Sequence, residues 1–458
     1  MSLTRDDPRF EHPIEAVEQL VDFFREGETP REDWRVGTEH EKIGLYAQSL
    51  RPVPYEGERG IRALLAAISS RFGWKPLLDA GRLVGLERDG RTITLEPGGQ
   101  LELSGAPLAS IHETVREFRE HIALVNQVSA PLGIIWLGLG VHPIAGIEEL
   151  PRMPRERHAI MREYLGRRDE LGLHMMHATA GVQANFDFSC EADAAKKLRL
   201  ALAASPISSA LFANSSISQG RPNGFESWRA WIWRHTDNDR WSLLPFAFER
   251  SFGAGTAYRA YTEWALEVPM FLIVRDGRSI PAHGQTFRDF LANGRDGMRA
   301  SLADWNVHLT TLFPEVRLKR VIETRGTDAV PGAAVCALPA FWKGLLYDET
   351  ALEAGLARVD SWSHEHVYAL HGEVARAGLQ ARAPDATVLE VARELLSLSR
   401  AGLVRQAVLD AEGRDEAIHL EPLEAVVERG GSPARAVLES WNGSWQKAIP
   451  KLIEYAKY

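Results

Sequence analysis

Cysteine is nearly absent: Cys190 and Cys336 are the only two in 458 residues. At most one disulfide is available, and a chain this long buries enough core to need none, so a reducing cytosol is the expected compartment. There is no positive excess either. The 53 Lys and Arg are outnumbered by 62 Asp and Glu, for a net charge of −9. That excludes the basic footprint of a general nucleic-acid binder but leaves room for local anion sites. Long apolar runs are missing too. "APLGIIWLGLGV" (130–141) ends at His142 and Pro143, too short to span a bilayer and suited to a buried strand. The opening "MSLTRDDPRFEHP" has no apolar core or cleavage-like site, so no signal peptide is expected. The sequence contains no Walker A loop, no complete dinucleotide fingerprint around "GLG" (138–140), and no HExxH pattern near His174 and His177. What remains is a soluble cytoplasmic globular protein, a monomer or homodimer acting on small molecules, with no nucleic-acid or membrane partner.

Apolar spacing predicts helices over 12–27, 60–73 and 108–129, and one over 191–213 broken near Pro206. Strands are predicted at 92–96 and 100–104, joined as a hairpin by "PGG", and also at 133–142, 181–188, 268–274 and 317–326. The stretch 150–173 reads as polar helix and loop. Beyond residue 346 strand-like runs disappear. The division is therefore a catalytic body over 1–345 and a helical segment over 346–458 packed on it. Strands scattered without βαβ spacing predict an α+β fold with a curved, mostly antiparallel sheet flanked by helices.

Several of these strands carry polar side chains on one face, because alternate residues share a face. In "VGTEHEKIGLY" (36–46) that face holds Glu39 and Glu41. In 92–96 it holds Glu96, in 100–104 Glu102, in 182–188 Gln183 and Asn185, and in 317–325 Lys319, Glu323 and Arg325. Solvated outer faces are the plain alternative. Carboxylates on neighbouring strands repel unless a positive charge lies among them, however, and a hard divalent cation supplies one economically. Glu39, Glu41, Glu96, Glu102 and Glu323 together have the capacity for more than one Mg²⁺. Arg325, beside them, suits a developing phosphoryl charge or a substrate carboxylate, or else a simple ion pair with Glu323. Arg221, Arg229, Arg234 and Arg240, in and around the Trp-rich stretch 228–241, make anion recognition plausible there. "HEH" (364–366) reads as a solvated helix face.

The blocks "GTEHEKIGL" (37–45), "LEPGGQLELSGAP" (95–107), "VQANFDFSCEADAAKKLRLALAASPISSALFANS" (182–215), "GRPNGFESWRAWIWRHTDNDR" (220–240), "LTTLFPEVRLKRVIETRGTD" (309–328) and "CALPAFWKGLLYD" (336–348) resemble, in matching order, glutamate–cysteine ligases of the plant and proteobacterial type. The resemblance implies a glutamine-synthetase-like catalytic domain whose sheet forms a funnel. It also implies a reaction: ATP phosphorylates the γ-carboxylate of glutamate, and the amine of cysteine displaces phosphate to give γ-glutamylcysteine. This is the first step of glutathione biosynthesis. Two or three Mg²⁺ ions and ATP are implied with it. By motif, Glu39 and Glu41 match the first metal-ligand pair, Glu96 and Glu102 a second hairpin of ligands, and Glu323 a late ligand. Glu41 also stands with Arg325 at the catalytic centre, Arg325 near the transferred phosphoryl group. Arg229 matches a binder of the glutamate α-carboxylate, and Gln183 and Asn185 touch nucleotide or glutamate.

Two departures stand out. Relatives commonly read "LRTCTVQ" where this chain reads "HATAGVQ" (177–183), so Ala178 and Ala180 replace an arginine and a cysteine. With only two cysteines the paired regulatory disulfides of the plant enzymes are not reproduced. The first departure keeps open a ligase using another amine. The carboxylates alone are also compatible with a metal-dependent phosphohydrolase, and a degenerate protein without turnover is a third possibility.

Overall fold

The computed structural model describes residues 12–458; the amino-terminal stretch read for a signal peptide lies almost entirely outside them. Thirteen strands occur among the described residues: β1 (Val36–Tyr46), β2 (Lys75–Asp79), β3 (Arg82–Arg88), β4 (Arg91–Leu95), β5 (Leu101–Ser104), β6 (Ile134–Leu137), β7 (Gly181–Phe186), β8 (Ile217–Ser218), β9 (Arg221–Pro222), β10 (Leu272–Arg275), β11 (Arg278–Pro281), β12 (Val316–Leu318) and β13 (Ile322–Asp328). Nine of them form one sheet in the order β12-β13-β7-β1-β5-β4-β3-β2, with β6 paired to the far end of β1. Every pairing is antiparallel, as the strand spacing predicts. β8–β9 and β10–β11 are separate hairpins, so the apolar run 268–274 contributes only its end to a strand, and not to the main sheet.

Alternation explains the sheet's two faces. Ile93, Leu95, Leu101 and Leu103 point backward onto Leu64, Leu65 and Ile68 of helix Ile61–Phe72 and Val125 and Val128 of helix Ile111–Ser129. The latter helix starts where Ser110 and Glu113 cap each other's backbone amides. Val182, Ala184 and Phe186 of β7 join a second core with Leu338 and Phe341 of helix Ala334–Leu346.

Two local expectations fail for identifiable reasons. Helix Glu191–Leu211 runs unbroken through Pro206. The proline leaves the Leu202 carbonyl without its usual amide, and the Ser205 hydroxyl donates to it at 2.9 Å instead. The segment 317–326 is not one strand but a hairpin, turned where Lys319 N–H donates to the Val321 carbonyl at 2.9 Å. The turn sets Arg317 directly opposite Glu323.

No strand follows β13. The helices after 346 share the core of the β7 side, and a buried ion pair clamps them down. Lys343 donates to Glu416 Oε1 at 2.8 Å, its ammonium lying 2.6 Å from Oε2, and Glu416 also accepts the Ile111 N–H at 2.6 Å. Lys343→Met would strand the buried Glu416 charge, a loss expected to cost about 3–5 kcal/mol. A urea midpoint unchanged from wild type would show that the pair does not hold this segment.

Candidate active site

The polar face of the sheet is enclosed rather than solvated: Gln183, Asn185 and Glu102 are 5, 8 and 8% exposed, Arg229 3%, and Glu323 fully buried. This removes the outer-face alternative. Register brings the expected residues together. Glu41 is paired with Glu102 across β1–β5, Glu39 with Gln183 across β1–β7, and Asn185 with Glu323 across β7–β13. Glu96 follows β4 in the "PGG" turn, where Gly99 takes a φ of 85° and Gly98 lies so close to the His177 carbonyl that a Cβ would stand 2.1 Å from it.

The carboxylates fall into two electrostatic groups. Glu41 accepts the Gly181 N–H at 2.7 Å and the Gln183 amide at 3.3 Å. Burial and then the charge of Glu96 raise its pKa from the ordinary 4.5 to about 7. Glu102 accepts the Thr94 hydroxyl at 2.6 Å, yet burial and the neighbouring Glu96, Glu39 and Glu41 push it well above the usual range. Burial, aided by Glu39, raises Glu96 against the pull of Arg155, Arg157 and Arg325. Glu39 accepts the Asn185 amide at 2.9 Å. For Glu41, Glu96 and Glu102, burial and like charge outweigh the cations nearby.

Glu323 is the opposite case. Arg317 grips it with two nitrogens at 2.8–3.0 Å, Lys319 lies 3.3 Å away and Arg325 completes the set. Burial opposes its ionisation, but Arg317, Arg325 and Lys319 outweigh that and hold its carboxyl well below the usual range. A bulge between Thr324 and Thr327 aims Arg325 across the sheet, where it donates to Gln183 Oε1 at 2.8 Å as well as to Glu323.

Of the four arginines in and around the Trp-rich stretch, only Arg229 is set among the site's charges. It reaches in from helix Trp228–Arg234 and donates to the Arg325 carbonyl at 3.1 Å. Arg240 is buried against Asp237, Arg234 donates to the Tyr368 carbonyl, and Arg221 is exposed. The sequence reading missed Arg317, Arg155 and Arg157. The last two stand at the start of helix Glu156–Leu165 and face Glu96. The charged stretch 150–173 was a visible signal, but nothing in it said which face of the sheet it covers. Lys42 was missed as well. Fully buried behind the carboxylates, it donates to the His40 carbonyl at 3.0 Å, and burial lowers its pKa from 10.5 to about 7 against the pull of Glu102 and Glu41.

The chain matches known proteins over nearly its whole length. The profile of Glutamate-cysteine ligase family 2 (GCS2) covers residues 35–454. A chloroplastic glutamate–cysteine ligase of Nicotiana tabacum is 42% identical over 445 residues, covering 96% of this chain and 83% of that one. Those of Medicago truncatula and Arabidopsis thaliana are also 42% identical, covering 96% of this chain and 85% and 83% of theirs. These chloroplastic names overturn the cytosolic expectation: few cysteines are compatible with any reducing compartment and single out none. In three dimensions the fold is similar to a glutamate–cysteine ligase from Francisella tularensis in complex with AMP, with a TM-score of 0.55 at 14% identity, covering 92% of this chain and 87% of that one. Both cysteines are free, Cys190 exposed and Cys336 buried. Carboxylates, arginines and fold thus meet in one conclusion: the chain belongs to glutamate–cysteine ligase family 2.

Proposed function

We propose that this enzyme joins the γ-carboxylate of L-glutamate to the amine of L-cysteine at the expense of ATP, through γ-glutamyl phosphate, giving γ-glutamylcysteine. The observation that carries the reading is the enclosed sheet face on which a group of mutually repelling carboxylates adjoins a group of cations. Phosphoryl transfer needs positioning and charge stabilisation more than acid–base groups, and both groups serve that need.

The residues fit Mg²⁺. Among the described residues no three carboxylate, imidazole or thiol groups already enclose one point. Mg²⁺ is typically held by one or two carboxylates and completed by phosphate and water. Glu39, Glu41, Glu96 and Glu102 would hold two or three such ions, which would favour the ionised forms of Glu41, Glu96 and Glu102 that burial and like charge oppose. Bound there, Mg²⁺ would neutralise phosphate charge and orient the nucleotide. Glu323, expected as a further ligand, is already neutralised by three cations. In this reading it fixes Arg325 toward the transferred phosphoryl group, while Arg155 and Arg157 face the nucleotide phosphates. Arg229 takes the glutamate α-carboxylate, with Gln183 and Asn185 beside it.

The test is ADP release with MgATP and L-glutamate across a panel of amines. Cysteine performing no better than the others would overturn the acceptor assignment.

The raised pKa of Glu41 has a signed consequence. A carboxyl raised on folding is protonated in the native state while ionised in the unfolded one, so stability without Mg²⁺ falls as pH rises between about 4.5 and 7. Mg²⁺ requires the ionised form. Its affinity is therefore expected to strengthen from pH 6 to 8, with proton release on binding. Calorimetry in two buffers of different ionisation enthalpy reads that release, and equal heats would contradict it.

A further inference from the structure

Asp328, at the end of β13, is 1% exposed and has no place in the reaction described so far. One oxygen, Oδ2, accepts the Ser215 hydroxyl at 2.6 Å and the Asn214 N–H at 2.8 Å; Oδ1 accepts the Ser227 hydroxyl at 2.8 Å. Both serines then serve the first turn of the helix that carries Arg229. The Ser215 oxygen accepts the Arg229 N–H and the Ser227 oxygen the Ala230 N–H, each at 3.1 Å. An ionised carboxylate only accepts, so it forces both hydroxyls to donate to it and turns their lone pairs toward the helix amides.

The Arg229 side chain is fitted from the other side. Gly181, register partner of Asp328, leaves the space that its head needs: a Cβ there would stand 2.6 Å from Nη2. Nη2 is fixed by the Arg325 carbonyl, while the buried Nε has no partner among the described residues. The head is therefore anchored at one nitrogen and has donor capacity left for a ligand carboxylate.

We propose that Asp328 is the positioning residue for Arg229: through Ser215 and Ser227 it sets the helix turn that aims the guanidinium, and so determines how tightly the donor amino acid's carboxylate is held. The inference rests on the reading of Arg229 as the glutamate α-carboxylate binder. Asp328→Asn keeps the shape but replaces one acceptor with an N–H₂ donor, so one serine must turn its hydroxyl hydrogen away and meet the N–H₂ with a lone pair, which shifts the geometry in which it accepts the helix amide.

The experiment is steady-state kinetics for each substrate on Asp328→Asn, Arg229→Met and the double variant. Asp328→Asn is expected to raise the glutamate KM about tenfold while the ATP and cysteine KM and the kcat stay near wild type. In the Arg229→Met background it is expected to add nothing further, because its effect runs through that side chain. Should Asp328→Asn fail to fold, Ser227→Ala removes the Oδ1 contact together with the cap on the Ala230 N–H, leaves the Ser215 branch intact and carries the same expectation. A rise in all three KM values together, or an effect that adds fully in the double variant, overturns the proposal by showing a general structural role. An unchanged glutamate KM in Asp328→Asn alone overturns the role of Asp328, and unchanged values in both single variants overturn the Arg229 reading with it.

Discussion

Glu41→Gln is expected to give a folded protein whose turnover falls by about 10²–10³-fold, with Mg²⁺-dependent ATP binding lost in parallel. The replacement is nearly isosteric, and its amide oxygen keeps an acceptor for the Gly181 N–H that now lies 2.7 Å from the carboxylate. What disappears is one negative charge facing Glu102 across the β1–β5 register and crowded by Glu96. Without Mg²⁺ that removal relieves repulsion, so the melting temperature in EDTA is expected at or above wild type. With Mg²⁺ and ATP the ranking reverses, because wild type gains ligand stabilisation that the variant lacks. Thermal melts with and without Mg²⁺, run beside initial rates, separate these effects. Rates within threefold of wild type would remove Glu41 from the metal site.

Arg325→Met is expected to have the largest effect on chemistry, lowering kcat by about 10³-fold or more, as for arginines that stabilise phosphoryl transfer. The fold is expected to survive, because Glu323 keeps Arg317 and Lys319 as counter-charges. Gln183 loses the donor that now reaches its Oε1 at 2.8 Å, so a small rise in the substrate KM accompanies the loss. Arg325→Lys keeps charge but not the fork that serves Glu323 and Gln183 together, and an intermediate rate is expected. Single-turnover phosphate release measures the chemical step directly. A kcat within tenfold of wild type in Arg325→Met would mean that Arg325 does no more than pair with Glu323.

The legible part of the site was its strands. Glu39, Glu41, Glu102, Gln183 and Asn185 sit in runs where a side-chain period of two assigns a face without knowledge of neighbours, and the structure keeps those faces. Helix Ile111–Ser129 was legible for the same reason, its apolar spacing being local. Where a tertiary partner intervened, the reading failed. Pro206 is tolerated because Ser205 answers the orphaned carbonyl in a fully packed helix. The stretch 317–326 turns back on itself, and the turn makes Arg317 the partner of Glu323. Asp328 gave no signal at all, since its partners Asn214, Ser215 and Ser227 lie about a hundred residues away in the chain.

From sequence alone, this protein's family, its antiparallel α+β class and the common face of its carboxylates were already determined, because spacing and motif order are local and survive without coordinates. Only the tertiary structure decided how charge is shared on that face. For Glu41, Glu96 and Glu102, burial and like charge outweigh the cations in reach, whereas Glu323 is held by three cations. Coulomb energy depends on distance and burial, and a one-dimensional pattern contains neither.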